Sequence, residues 1–127
     1  MDVLVPVDGS DCSVRALDFA VEFAARYDGA LHVVHFSDTK TDATEQILAT
    51  AEERLADAGD VELVLTDRID LRPGTAVGKE ILRYVEAQNV DHVVMGHHGS
   101  DVVGRAILGS AAETVVRGLD VPTTIVP

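Results

Sequence analysis

The sequence has no tryptophan, one cysteine and an aromatic content of only 4%. Without large rings to fill it, a core must be assembled from Val, Leu, Ile and Ala. The lone thiol, Cys12, cannot close an internal disulfide, which fits a reducing compartment. Its neighbours are Asp11 and Ser13, neither of them a base for an activated thiol, so Cys12 reads as a small residue near a helix start. Lysine is nearly missing, with Lys40 and Lys79 the only two. The net charge is -12, and no basic stripe exists to neutralise phosphates, which argues against a nucleic-acid partner. No run reaches the roughly 18 apolar residues that span a bilayer, and no basic, apolar leader opens the chain. The expected setting is therefore cytoplasmic, with no membrane partner. An acidic, lysine-poor composition resembles that of proteins from salt-loving organisms. Salt would then relieve the self-repulsion of so many like charges.

What is present is a regular alternation. The 127 residues suit one domain, and 46% of them are hydrophobic, enough for a buried core. Val3 to Val7 is an apolar run ended by Asp8-Gly9-Ser10, as befits a central parallel strand. Val14, Leu17, Ala20, Val21 and Ala24 recur at helical spacing until Asp28-Gly29. Leu31 to Phe36 reads as a second strand, and Ile47, Leu48, Ala51 and Leu55 as the stripe of a second helix. Val61 to Leu65 is the expected third strand, followed by a connection from Asp67 to Pro73, with Thr75 as the N-cap of a third helix carrying Val77, Ile81, Leu82 and Val85. Val90 to Met95 is the fourth strand, Ala111, Ala112, Val115 and Val116 mark the last helix, and Pro122 to Val126 the fifth strand. Strands alternating with helices long enough for right-handed crossovers predict one α/β domain over residues 1–127, a doubly wound, five-stranded parallel sheet with helices on both faces.

The stretch that carries chemistry is Gly96-His97-His98-Gly99, nine further residues, then Gly109-Ser110. It opens where a strand ends and closes where a helix begins, the place where open α/β sheets bind ligands. Glycines let backbone approach an anion, and free N–H groups at a helix start favour phosphate. A plain turn remains the rival for Gly96 and Gly99, a helix cap for Asp8, and local backbone bonding for Ser110. His32 and His35 sit at an odd separation in a strand, on opposite faces, and His92, His97 and His98 show no convergent ligand spacing. No intrinsic metal site is expected.

The spacing G-x2-G-x9-G-[ST], with Val3-Leu4-Val5-Pro6-Val7-Asp8-Gly9-Ser10, Leu31-His32-Val33-Val34-His35-Phe36, Val93-Val94-Met95-Gly96 and Val121-Pro122, resembles the ATP-binding branch of the universal stress proteins over the whole chain. The resemblance implies a Rossmann-like sheet of the adenine nucleotide alpha hydrolase kind. It also implies an adenine nucleotide (ATP, ADP or AMP, with any Mg²⁺ carried on its phosphates), a stress-response or regulatory role, and little hydrolysis. It places Asp8 near the ribose and Pro6, Val7 and Phe36 around the adenine. Gly96, His97, His98, Gly99 and Ser100 would lie along ribose and phosphate, and Gly109, Ser110 and Ala111 would hold the phosphates. Ser100-Asp101 departs from the many relatives with a basic residue after the second glycine, leaving Arg105 as the nearby cation. The resemblance further implies a homodimer through Val121 to Val126. Two other readings stand beside it. One is a phospho-acceptor receiver with Asp67 as acceptor, although Asp8 lacks a paired carboxylate and no Lys follows the last strand. The other is a nucleotidyl transferase or ATP-pyrophosphatase, which would need charge stabilisation at the transferred phosphate.

Overall fold

The computed structural model describes residues 1–37, 42–56, 58–59, 62–70, 76–98, 108–118 and 120–127. The strands are β1 (Asp2–Pro6), β2 (Ala30–Ser37), β3 (Glu62–Asp70), β4 (His92–Gly96) and β5 (Thr123–Val126); the helices are α1 (Asp11–Tyr27), α2 (Asp42–Ala56), α3 (Val77–Gln88) and α4 (Ser110–Gly118). The strands form one sheet in the order β3-β2-β1-β4-β5, with every pair parallel. The chain winds outward from β1 to β3, crosses back through α3, and winds outward again from β4 to β5. The direction of winding thus reverses between β1 and β4.

Two apolar layers sandwich the sheet. On one face Val3, Val5, Leu31, Val33 and Val94 pack against Leu17, Ala20 and Ala24 of α1 and Ala51 of α2. On the other, Leu4, Val34, Phe36, Val93 and Met95 meet Ile81 and Val85 of α3 and Ala112 and Val115 of α4. The strict alternation along β1, β2 and β4 is what lets one sequence serve both layers. His32 and His35 obey it. His32 Nδ1 lies 2.8 Å from the Tyr84 hydroxyl on the α3 side, while His35 Nδ1 lies 2.7 Å from the Val7 carbonyl, so the two cannot share an ion.

Local chemistry sets the helix ends. Ser10 caps α1, its hydroxyl accepting the Ser13 N–H at 3.2 Å. At the other end the left-handed position falls on Asp28 (φ 54°), and Gly29 donates its N–H to Ala24 at 2.8 Å. Three expectations need correction. The third strand runs on to Asp70 instead of stopping near Leu65, because β2 offers it partners as far as Ser37↔Asp70. Asp67 therefore pairs with Val34 inside β3, and does not stand at a strand end as a phospho-acceptor would. The N-cap of α3 is Ala76, with no side-chain cap bond; Thr75, like Val61, lies outside the described residues. In α4, Ala112 and Val115 are buried, whereas Val116 is 49% exposed.

β4 opens with a histidine whose protonation bears on stability. His92 Nε2 lies 2.8 Å from Thr124 Oγ1 of β5, and its ring lies 4.7 Å from the Phe23 ring of α1. Desolvation by this packing lowers its pKa from the ordinary 6.5. The fold thus favours the neutral ring, and the unfolded chain takes up the proton first. This contribution is complete above pH 6.5 and is lost as pH falls through the lowered native value. Urea midpoints measured at about pH 7.5 and about pH 5 should fall further in the wild type than in His92→Gln. Equal falls would remove His92 from the account.

Candidate functional site

The reversal point brings together two of the segments singled out in the sequence. Pro6 ends β1 and is half-buried; Val7 follows, buried, and donates its N–H to Val34 at 2.9 Å. Asp8 then begins the turn into α1. Its Oδ1 accepts both the Ser10 N–H (2.9 Å) and the Ser10 hydroxyl (2.5 Å), and its own N–H reaches Ser13 Oγ at 3.4 Å. With Ser10 serving as the cap, Asp8 is not needed for that task. Oδ1 braces the turn, and among the described residues Oδ2 has no hydrogen-bond donor. Gly9 holds φ +85°, and a Cβ there would lie 3.0 Å from Ile47 Cγ1, so both conformation and space call for glycine.

Next to β1, β4 delivers Gly96, His97 and His98. His97 donates its N–H to Val126 at 2.8 Å, and the His97 and His98 rings stand 5.9 Å apart, nearly perpendicular. A Cβ on Gly96 would lie 2.7 Å from Cys12 Sγ and 3.0 Å from the Ser13 nitrogen. The missing side chain is thus used by the first turn of α1, which packs directly on the strand end. Gly99 and Ser100 lie outside the described residues, as do Asp101 and Arg105. The loop closes at Gly109, which is buried and donates its N–H to the His97 carbonyl at 2.9 Å. That bond ties the two ends of the loop together and commits the Gly109 N–H to protein. The Gly109 carbonyl accepts the Glu113 N–H at 2.9 Å and starts α4. The helix itself offers no acceptor to the N–H groups of Ser110, Ala111 and Ala112. Ser110 is exposed and Ala111 half-buried, so the N–H groups that could meet an anion here are those of α4 itself.

Phe36 stands near the C-terminal end of β2, beside β1, but its ring turns away from this place. Its ring is 6% exposed, buried in the α3–α4 layer and edge-on to Tyr84 at 6.0 Å. Strand alternation puts it on the same side as Val34, so only its backbone remains for a ligand.

Two features escaped the sequence reading. Cys12 is fully buried, and its thiol donates to the His98 carbonyl at 2.9 Å while touching Ser10 Oγ at 3.4 Å. A cysteine two residues after a capping serine carries no signal that it will meet a strand end some 86 residues away. The second is a cleft of about 350 Å³ between α1 and α2, beside Val7 and Asp8. Val14, Leu17, Ile47 and Ala51 give it apolar walls, and Gln46 and Thr50 of α2 add polar groups. The sequence marked the stripe of α2 and passed over the polar residues beside it.

Comparison with known proteins agrees with this architecture. The model of the universal stress protein family matches residues 1–127. The universal stress protein MJ0531 of Methanocaldococcus jannaschii is 25% identical over 136 aligned positions, 98% of this chain and 80% of that one. A universal stress protein solved in complex with cAMP superposes with a TM-score of 0.76 at 26% identity, over 98% of this chain and 94% of that one. The Archaeoglobus fulgidus universal stress protein in complex with dAMP superposes with a TM-score of 0.75 at 21% identity, over 100% and 98% of the two chains. No helix among the described residues is long and apolar enough to cross a membrane. With a parallel α/β sheet that reverses at Asp8 and Gly96, and a family model matched from end to end, the chain belongs to the universal stress protein family.

Proposed function

We propose that this protein is an adenine-nucleotide-binding module with a regulatory or stress-response role and no rapid turnover. The observation that carries the reading is the meeting, at the reversal of the sheet, of an Asp8 carboxylate oxygen that has no donor among the described residues with the strand end Gly96-His97-His98, which the Gly109–His97 bond ties to the N-terminus of α4. The carboxylate suits a ribose hydroxyl, and the first-turn N–H groups of α4 suit phosphate. The glycine spacing of the ATP-binding branch and the cAMP bound by a relative support the same ligand class. ATP, ADP and AMP all fit this chemistry, with Mg²⁺ entering on the phosphates. Backbone donors bind a phosphate already in place, whereas transfer needs added stabilisation of the charge that develops. A loop whose sequence carries Asp101 and a single Arg105 is poorly supplied for that. Slow or absent hydrolysis follows, and the transferase and pyrophosphatase readings recede. Mass spectrometry of small molecules released from the purified, denatured protein should find an adenine nucleotide. A different ligand at stoichiometric amounts would redirect the assignment.

The same reading includes a cytoplasmic, salt-adapted homodimer. β5 is the edge of the sheet, and all four of its residues stay half-exposed. An apolar edge strand is usually paired or protected, and two copies related by a two-fold axis would pair it. Light scattering should report a dimer that Ile125→Asp weakens at least about tenfold, as expected for a charge buried in a contact. A wild type monomeric across a broad concentration range would refute the dimer and leave the nucleotide site untouched.

A further inference from the structure

The cleft between α1 and α2 bears on the choice of base. In the sheet order, α2 covers the β2–β3 side and β4 delivers Gly96, His97 and His98, with the β1–α1 turn between them. Asp8 lines the cleft, and the contacts Asp8–Ser10–Cys12–His98 link it to the loop at 2.5, 3.4 and 2.9 Å. A ligand whose ribose meets Asp8 and whose phosphates lie toward α4 therefore has its base directed to the cleft. The volume, about 350 Å³, falls within the range of ligand pockets. Val14, Leu17 and Ile47 offer apolar surface to a flat ring. Gln46 and Thr50 lie one helical turn apart on the same face of α2. A carboxamide sets one acceptor beside one donor, the complement of the amino group and ring nitrogen that adenine presents side by side.

We infer that Gln46 is a specificity-determining residue, its amide reading the amino-bearing edge of a purine held in the α1–α2 cleft. The inference rests on the nucleotide reading above and adds to it the residue that selects the base. Gln46 and Thr50 are both exposed, so substitutions there leave the core alone.

The test is calorimetry with two ligands, AMP and purine riboside 5′-monophosphate, which lacks the amino group. Wild type should prefer AMP by about 3- to 10-fold, the worth of the one hydrogen bond that the amino group adds. Gln46→Leu should lose AMP affinity by more than it loses affinity for the amino-free ligand, which keeps the ring nitrogen and gives up only that bond, so the preference is erased. Thr50→Trp should weaken both ligands by filling the cleft, while pyrophosphate binding stays. Circular dichroism checks that each variant is folded. A preference that survives in Gln46→Leu, or a Thr50→Trp variant that binds both ligands as wild type does, overturns the assignment alone. A wild type that binds neither ligand overturns the nucleotide reading and this assignment with it.

Discussion

Gly96→Val is expected to destabilise the fold by about 3 kcal/mol or more, beyond the usual range for overpacking. The reason is where the new atoms would go. A Cβ alone would sit 2.7 Å from Cys12 Sγ, 3.0 Å from the Ser13 nitrogen and 3.1 Å from the Cys12 carbonyl carbon. Two of those three neighbours are backbone of the first turn of α1, and that turn cannot retreat. It is held by the Ser10 cap on Ser13 at 3.2 Å and by the Cys12 thiol on the His98 carbonyl at 2.9 Å. Gly96→Ala should show the smaller loss of about 1–3 kcal/mol, and adding Cys12→Ala should return part of it by removing the sulfur. Urea denaturation followed by circular dichroism measures all three. A Gly96→Val protein as stable as wild type would mean that α1 does not pack on β4 as described. The result also guards against a false inference, since lost nucleotide binding in a Gly96 variant would report a displaced helix as readily as a lost ligand contact.

Gly109→Val should abolish nucleotide binding with the fold retained. Gly109 is buried where the loop returns to α4, its N–H on the His97 carbonyl and its carbonyl accepting from Glu113, both at 2.9 Å. It does not hold a left-handed conformation, so a branched residue is sterically possible for the backbone. A branched side chain there would stand immediately before the first turn of α4, whose N–H groups are the proposed anion donors. Losing two donors to a charged ligand, at about 1.5 kcal/mol each, lowers affinity by about 100-fold. Ser110→Ala removes a single exposed hydroxyl and should cost about tenfold or less. Calorimetry with ATP on proteins matched by circular dichroism separates the two. Equal affinity in Gly109→Val and wild type would place the phosphates elsewhere.

What could be read from the sequence follows the range of the interactions involved. Val3-Leu4-Val5 and Val93-Val94-Met95 are apolar on both faces because both faces are covered, and that pattern is visible without a structure. The cap at Ser10 and the stop at Asp28-Gly29 are set within a few residues of themselves. β3 was harder to delimit, since its second half, Thr66 to Asp70, is polar except for Ile69 and pairs with β2 as far as Ser37↔Asp70. Phe36 was assigned to the ligand by position, but the parity of the strand sends its ring into the opposite layer. For Gly96, spacing showed that a side chain is unwelcome. Only the packing of α1 shows what excludes it. Cys12, Gln46 and Thr50 meet their surroundings across elements, and no local periodicity marks such contacts.

The central claim, that the reversal of the sheet at Asp8 and Gly96 binds an adenine nucleotide, is tested most directly by titrating the wild-type protein, stripped of any carried ligand, with AMP, ADP and ATP in molar KCl by calorimetry. The account predicts saturable binding of at least one of them at one site per chain, weakened by Asp8→Ala, which should also weaken adenosine. Absence of binding for all three, or binding that Asp8→Ala and Gly109→Val both leave unchanged, would contradict it.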